Sequence, residues 1–129
     1  PGTGDTQLTF AQEIKVDGAI IVSTPQEIAL QDVKRGIKMF DKLGVNIIGL
    51  VDNMSYFIGD DKKKYSIFGE GGVKRTAEEF KKNFLGEIPI FQKVGSEGDK
   101  GKPIVESLPE HEASKIYIEL AKKIQSSFS

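Results

Sequence analysis

The sequence contains no cysteine and no tryptophan, and only one histidine, His111. Without cysteine the chain can form no disulfide framework and can present no catalytic thiol. It can also offer no iron–sulfur or zinc site built on its own thiolates. One histidine excludes a His-rich metal centre. Charge of one sign is also missing: 18 basic residues face 19 acidic ones, a formal net charge of −1. That balance gives no bulk electrostatic case for nucleic acid or an anionic membrane. No run approaches the roughly 18–20 apolar residues that cross a bilayer. The opening Pro1-Gly2-Thr3-Gly4 is neither a basic nor an apolar leader, so no export signal is expected and the expected location is cytoplasmic. No repeat of 20–50 residues is visible.

What is present is a chain of 129 residues with 38% hydrophobic residues, enough for one small core. Asp5 is placed to cap a helix from Thr6 to about Glu13. Gly18 to Ser23 is a nearly continuous apolar run, the pattern of a strand buried on both faces. Thr24-Pro25-Gln26-Glu27 reads as a capping box with proline at the first helical position. Leu30, Val33, Ile37 and Phe40 then recur at helical spacing, and Gly44 supplies a left-handed stop. Val45 to Val51 is a second buried strand. Strand, crossover helix and strand together predict a βαβ unit of a parallel sheet.

Downstream, Tyr56-Phe57-Ile58 and Tyr65-Ser66-Ile67-Phe68 flank the polar Gly59–Lys63 stretch, which predicts a small β-hairpin. Val73, Ala77 and Phe80 mark a short amphipathic helix. Phe84 to Ile90 reads as a third strand stopped by Pro89, Gly95 to Gly101 as a polar loop, and Pro109 to Ser126 as a terminal helix. The fold class is α/β, with three parallel strands. So few strands suggest the later part of a larger nucleotide-binding domain.

No Gly-x-x-x-x-Gly-Lys-Ser/Thr phosphate loop is present: around Gly101-Lys102, Ser96 replaces the first glycine and Pro103 the hydroxyl. Three segments have two readings each. Gly69-Glu70-Gly71-Gly72 before a helix could bind an anion or serve as a cap. Pro1-Gly2-Thr3-Gly4-Asp5 could present amides to a terminal phosphate or be an ordinary terminus. Asn53, at the carboxyl end of a parallel strand, could read a purine edge with its donor and acceptor or simply form a turn. His111 and the Asp60–Lys64 run read as solvated surface.

Taken in order, these segments resemble one family. Pro1-Gly2-Thr3-Gly4-Asp5 is similar to the end of the Asp-x-Pro-Pro-Gly-Thr-Gly-Asp switch of Mrp-type ATPases, MinD/ParA-related P-loop proteins described as iron–sulfur cluster carriers. Ser23-Thr24-Pro25-Gln26-Glu27, Asn53-Met54-Ser55, Ile67-Phe68-Gly69-Glu70-Gly71-Gly72, Phe84-Leu85-Gly86-Glu87-Ile88-Pro89 and Gly98-Asp99-Lys100-Gly101-Lys102-Pro103 follow as in that family. The resemblance implies that residues 1–129 are the C-terminal part of a single P-loop NTPase domain, a parallel sheet flanked by helices with a small hairpin insertion. It implies ATP and magnesium in the intact protein, a homodimer, iron–sulfur client proteins, and no nucleic acid or membrane partner. It assigns Gly2, Thr3, Gly4 and Asp5 to a γ-phosphate-sensing switch, Asn53 to adenine, and Pro89, Ile90 and Phe91 to the loop flanking the base. No catalytic residue and no metal ligand falls within the chain, which alone is expected to be inactive. Where many members carry Cys-x-x-Cys in the hairpin, this chain has Gly59-Asp60-Asp61-Lys62, so a cluster cannot bind through that pair. Two other readings stand beside this one: a non-enzymatic partner-binding module, and a MinD/ParA-type positioning ATPase.

Overall fold

The computed structural model describes residues 4–128. Its elements are α1 (Asp5–Glu13), β1 (Ala19–Ser23), α2 (Glu27–Leu43), β2 (Ile47–Asn53), β3 (Phe57–Ile58), β4 (Lys64–Tyr65), α3 (Gly72–Glu79), β5 (Phe84–Ile88), α4 (Gln92–Asp99), α5 (Ile104–Ser107) and α6 (Glu112–Ser126). β1, β2 and β5 form a parallel sheet in the order β1-β2-β5, and β3 and β4 form a separate antiparallel hairpin.

The middle strand decides the architecture. Six of the seven residues of β2, Ile47 to Asp52, are buried, so both sheet faces must be covered. On one face α2 and α3 close over it: Leu30, Val33, Ile37, Val73 and Ala77 pack with Ile47 and Leu50. On the other face Leu120 of α6 packs with Ile48, Val51, Leu85 and Ile88. Fully burying each such aliphatic side chain is worth about 1.5–3 kcal/mol. The two-layer cover therefore holds β2, and with it the strand ends, in place.

Local signals set the ends of the elements. Gly44 closes α2 at φ 72°, and the Val45 N–H donates to Phe40 O at 2.9 Å, which satisfies the last turn. The start of α2 differs from expectation. The cap residue is Gln26, not Thr24; the Thr24 hydroxyl instead donates to Gln26 Oε1 at 3.3 Å. The helix thus begins after Pro25, whose carbonyl lies against α3. A Cβ on Gly72 would meet Pro25 O at 3.0 Å and Leu30 Cδ1 at 2.6 Å, so only glycine lets α3 begin there. Gly4 rather than Asp5 precedes the first turn of α1.

Three further expectations are corrected. β1 is not buried on both faces: Val22 is 57% exposed, because α2 covers one side and no described element lies over the other. The Gly95–Gly101 stretch is largely helical, as α4, with Glu97 buried and within 3.5 Å of the Lys100 ammonium. The terminal helix starts at Glu112, after the separate turn of α5. Among the described residues no helix is long and apolar enough to cross a membrane.

Candidate nucleotide-base site

In a parallel sheet ligands gather beyond the carboxyl ends of the strands. Here those ends are Ser23, Asn53 and Ile88. Register places Ser23 beside Asp52 and Asn53 beside Ile88. The pairing continues past the strands. The Ser55 N–H donates to Ile88 O at 3.1 Å, and the Ile90 N–H donates to Tyr56 O at 2.7 Å. Two loops are thereby zipped together, one carrying Asn53 and the other Pro89-Ile90-Phe91. Asn53, Ile90 and Phe91 are half-buried and Pro89 is buried. Four of the residues picked out from the sequence are thus brought to one place by backbone hydrogen bonds.

The turn between them is strained. Met54 has φ 55°, a left-handed conformation uncommon for a side chain of its kind, and it is exposed. Beside it two buried oxygens, Asp52 Oδ1 and Ser55 Oγ, have no hydrogen-bond partner among the described residues. Burial pushes the Asp52 carboxyl up from 3.8 to about 6, with the Glu87 charge adding to the effect. Burial, then Glu87 and Glu112, also raise the Tyr56 phenol. The Lys64 ammonium sits 4.3 Å from the centroid of the Tyr56 ring and ties the hairpin to this region.

His111 is not a solvated surface residue. Its Nδ1 accepts the Ala113 N–H at 3.0 Å, capping α6, and its ring meets Phe91 edge-on at 5.4 Å between centroids. Nothing in the sequence pattern placed His111 near Phe91, since 20 positions separate them. The hint available locally was a polar side chain directly before an apolar-periodic helix.

The residues that the resemblance assigns to a switch are described only in part. Gly2 and Thr3 lie outside the described residues. Gly4 and Asp5 begin α1, whose Thr6, Gln7 and Phe10 share an apolar groove with Ala19 and Phe40, where β1 starts and α2 ends. A second groove, along β1 and α2, is lined by Ile21, Val22, Val33 and Phe40, and its carboxylate Asp32 is paired with Arg35 at 3.1 Å. It lies along the uncovered flank of β1, and Ser23 and Thr24 line its end at the strand terminus. The Gly69–Gly72 segment acts as a cap: Gly71, at φ 70°, precedes α3, and the Arg75 guanidinium donates to Glu70 O at 2.8 Å. No group of three His, Cys, Asp or Glu among the described residues is placed to hold a metal ion.

Comparison with known proteins shows the family and the fold. The model of the ParA family described as NUBPL iron-transfer P-loop NTPase matches residues 1–125. An iron–sulfur cluster carrier protein of Aquifex aeolicus is 46% identical over 123 residues, covering 95% of this chain and 34% of that protein. The iron–sulfur cluster transfer protein NUBPL of Dictyostelium discoideum is 46% identical over 125 residues, covering 96% and 39%. The chain therefore spans little more than a third of the length of the curated relatives it matches. Among solved structures, a nucleotide-binding protein of Archaeoglobus fulgidus in complex with ADP superposes with a TM-score of 0.69 at 38% identity, covering 79% of this chain and 42% of that one. The cell division ATPase MinD of Pyrococcus furiosus gives 0.68 at 21% identity, covering 93% and 44%, a likeness of fold alone.

Proposed function

The chain belongs to the ParA-type family of NUBPL iron-transfer P-loop NTPases, and from that premise we propose that it is the base-binding, C-terminal part of a single ATP-binding domain that serves iron–sulfur cluster carriage. The observation that supports this most directly is the junction of Asn53 with the Pro89–Phe91 loop at adjacent strand ends. Asn53 offers a donor and an acceptor to a purine edge, and Pro89, Ile90 and Phe91 supply the apolar flank.

The triphosphate grip comes from outside these 129 residues, because no Walker A loop lies within them. Gly2, Thr3, Gly4 and Asp5 are proposed to sense the terminal phosphate, with α1 as the element that moves. No group of three His, Cys, Asp or Glu among the described residues supplies a metal site, and no step is assigned to magnesium. The cluster is cargo, and with no cysteine this chain supplies none of its thiolate ligands. The homodimer, the iron–sulfur clients and the cytoplasmic setting remain parts of the same proposal.

Titration calorimetry of the full-length polypeptide with Mg-ATP tests it. Micromolar binding is expected for the intact protein, and little or none for residues 1–129 alone. Asn53→Ala should weaken ATP about tenfold, the loss of one to two hydrogen bonds, and leave inorganic triphosphate unchanged. Full affinity in Asn53→Ala would refute the base-contact assignment.

A further inference from the structure

We propose that His111 is a positioning residue for the nucleobase: its imidazole both caps α6 and holds the Phe91 ring in place as the wall of the base slot. The inference rests on the base-site reading above and names a residue outside it. His111 stands directly before α6, outside the two loops that carry Asn53 and Phe91.

The geometry gives the imidazole two separate tasks. Nδ1 accepts the Ala113 N–H at 3.0 Å, one of the otherwise unpaired amides of the first turn. Accepting there requires Nδ1 to be unprotonated, which fixes the tautomer with hydrogen on Nε2. The same hydrogen bond fixes the ring plane. That plane stands at 84° to the Phe91 ring, an edge-to-face arrangement with centroids 5.4 Å apart. The next residues of α6 are rigid: Ala113 and Ser114 are fully buried, and the Ser114 hydroxyl donates to Leu108 O at 2.7 Å. The His111 N–H itself donates to Leu108 O at 3.0 Å. The imidazole is therefore held on a firm base.

Phe91 is less constrained from its own side. It precedes the first turn of α4, and its backbone accepts from Val94 N at 3.1 Å. Neither contact fixes the ring. The imidazole edge is the only aromatic partner of Phe91 among the described residues. A purine stacked against Phe91 would depend on that ring staying put, so its affinity should follow the His111 ring and not the His111 cap.

Two substitutions separate the tasks. Asn is a good cap acceptor but has no aromatic ring; Phe keeps the ring but cannot accept. In the full-length protein, His111→Asn should retain the wild-type melting temperature and bind Mg-ATP about fivefold more weakly. His111→Phe should melt about 2–4 °C lower and bind Mg-ATP within about twofold of wild type. Neither variant should alter affinity for magnesium inorganic triphosphate, a probe with no base. A purely structural histidine would reverse the pattern, with His111→Phe the weaker binder, or would weaken both probes together. Either result overturns the proposal, as does wild-type ATP affinity in His111→Asn. If the wild-type full-length protein binds triphosphate but shows no preference for ATP over it, the base-site reading falls and this inference falls with it.

Discussion

Asp52→Asn should stabilise the protein at neutral pH and destabilise it by about 1 kcal/mol in acid. The Asp52 carboxyl is 2% exposed, one of its oxygens has no partner, and its pKa is raised from 3.8 to about 6. A raised pKa means that the folded state holds the proton more tightly than the unfolded chain does. Stability from this group is therefore fully present below about pH 3.8 and is lost as pH rises through about 6. A difference of roughly two pH units corresponds to about 3 kcal/mol between the two plateaus. Asparagine removes the titration but brings an amide that also needs partners, which offsets about 1 kcal/mol of the gain. The expected net stabilisation at pH 7.5 is about 2 kcal/mol. Urea denaturation of wild type and Asp52→Asn at pH 4, 5, 6 and 7.5 measures it. Two unfolding midpoints that run parallel across that range would show that the buried carboxyl is satisfied at neutral pH, and the reasoning would fail.

Other substitutions test the turn and the packing. Met54→Gly should raise stability by about 1 kcal/mol, since glycine adopts φ 55° freely, while Met54→Ala keeps the Cβ and should not; thermal melts of both decide. Gly72→Ala should cost about 1–3 kcal/mol, because the added Cβ would lie 2.6 Å from Leu30 Cδ1 and 3.0 Å from the Pro25 carbonyl. Its measure is the denaturation midpoint, and an unchanged midpoint would mean that α3 can slide off α2.

The parallel sheet was readable because β1 and β2 are short apolar runs joined by a crossover helix. Gly44 was readable as a stop because its role depends on local backbone geometry alone. Failures came where neighbours distant in sequence decide the outcome. Ile20 and Val22 look like residues of a doubly buried strand. Whether β1 is buried depends on what lies over its second face, and no element among the described residues does. The glycines of α4 argue for a loop on propensity, yet buried Glu97, with the Lys100 ammonium at 3.5 Å, sits within a helix. Asn53 could be picked out as a strand-end residue, whereas Phe91 was pointed to only by the family resemblance. Their approach depends on the Ser55–Ile88 and Ile90–Tyr56 hydrogen bonds, which no spacing rule encodes.

The hairpin makes the same point for function. The residues at 59–62, where the resemblance leads one to look for a cysteine pair, do not leave the tip unorganised. Asp61 accepts a short hydrogen bond from the Tyr65 hydroxyl, and its other oxygen accepts the Lys63 N–H at 2.9 Å. The Phe57 and Tyr65 rings lie 5.7 Å apart, and the Lys64 ammonium sits over Tyr56. These contacts join the backbone hydrogen bonds that close the turn, from the Gly59 N–H to Lys63 O at 3.0 Å and from the Lys62 N–H to Gly59 O at 2.9 Å. A metal-ligating pair in this position would fold its hairpin as it acquired metal, coupling the two events. Here the contacts of the turn are made among its own residues. Phe57, Ile58 and Tyr65 remain exposed on this hairpin, and in the proposed role the thiolate ligands of a cluster have to come from outside these residues. At the strand end, by contrast, a left-handed residue, Met54 at φ 55°, lies between two buried residues whose Asp52 Oδ1 and Ser55 Oγ have no partner among the described residues, a local strain of the kind that gathers at functional sites.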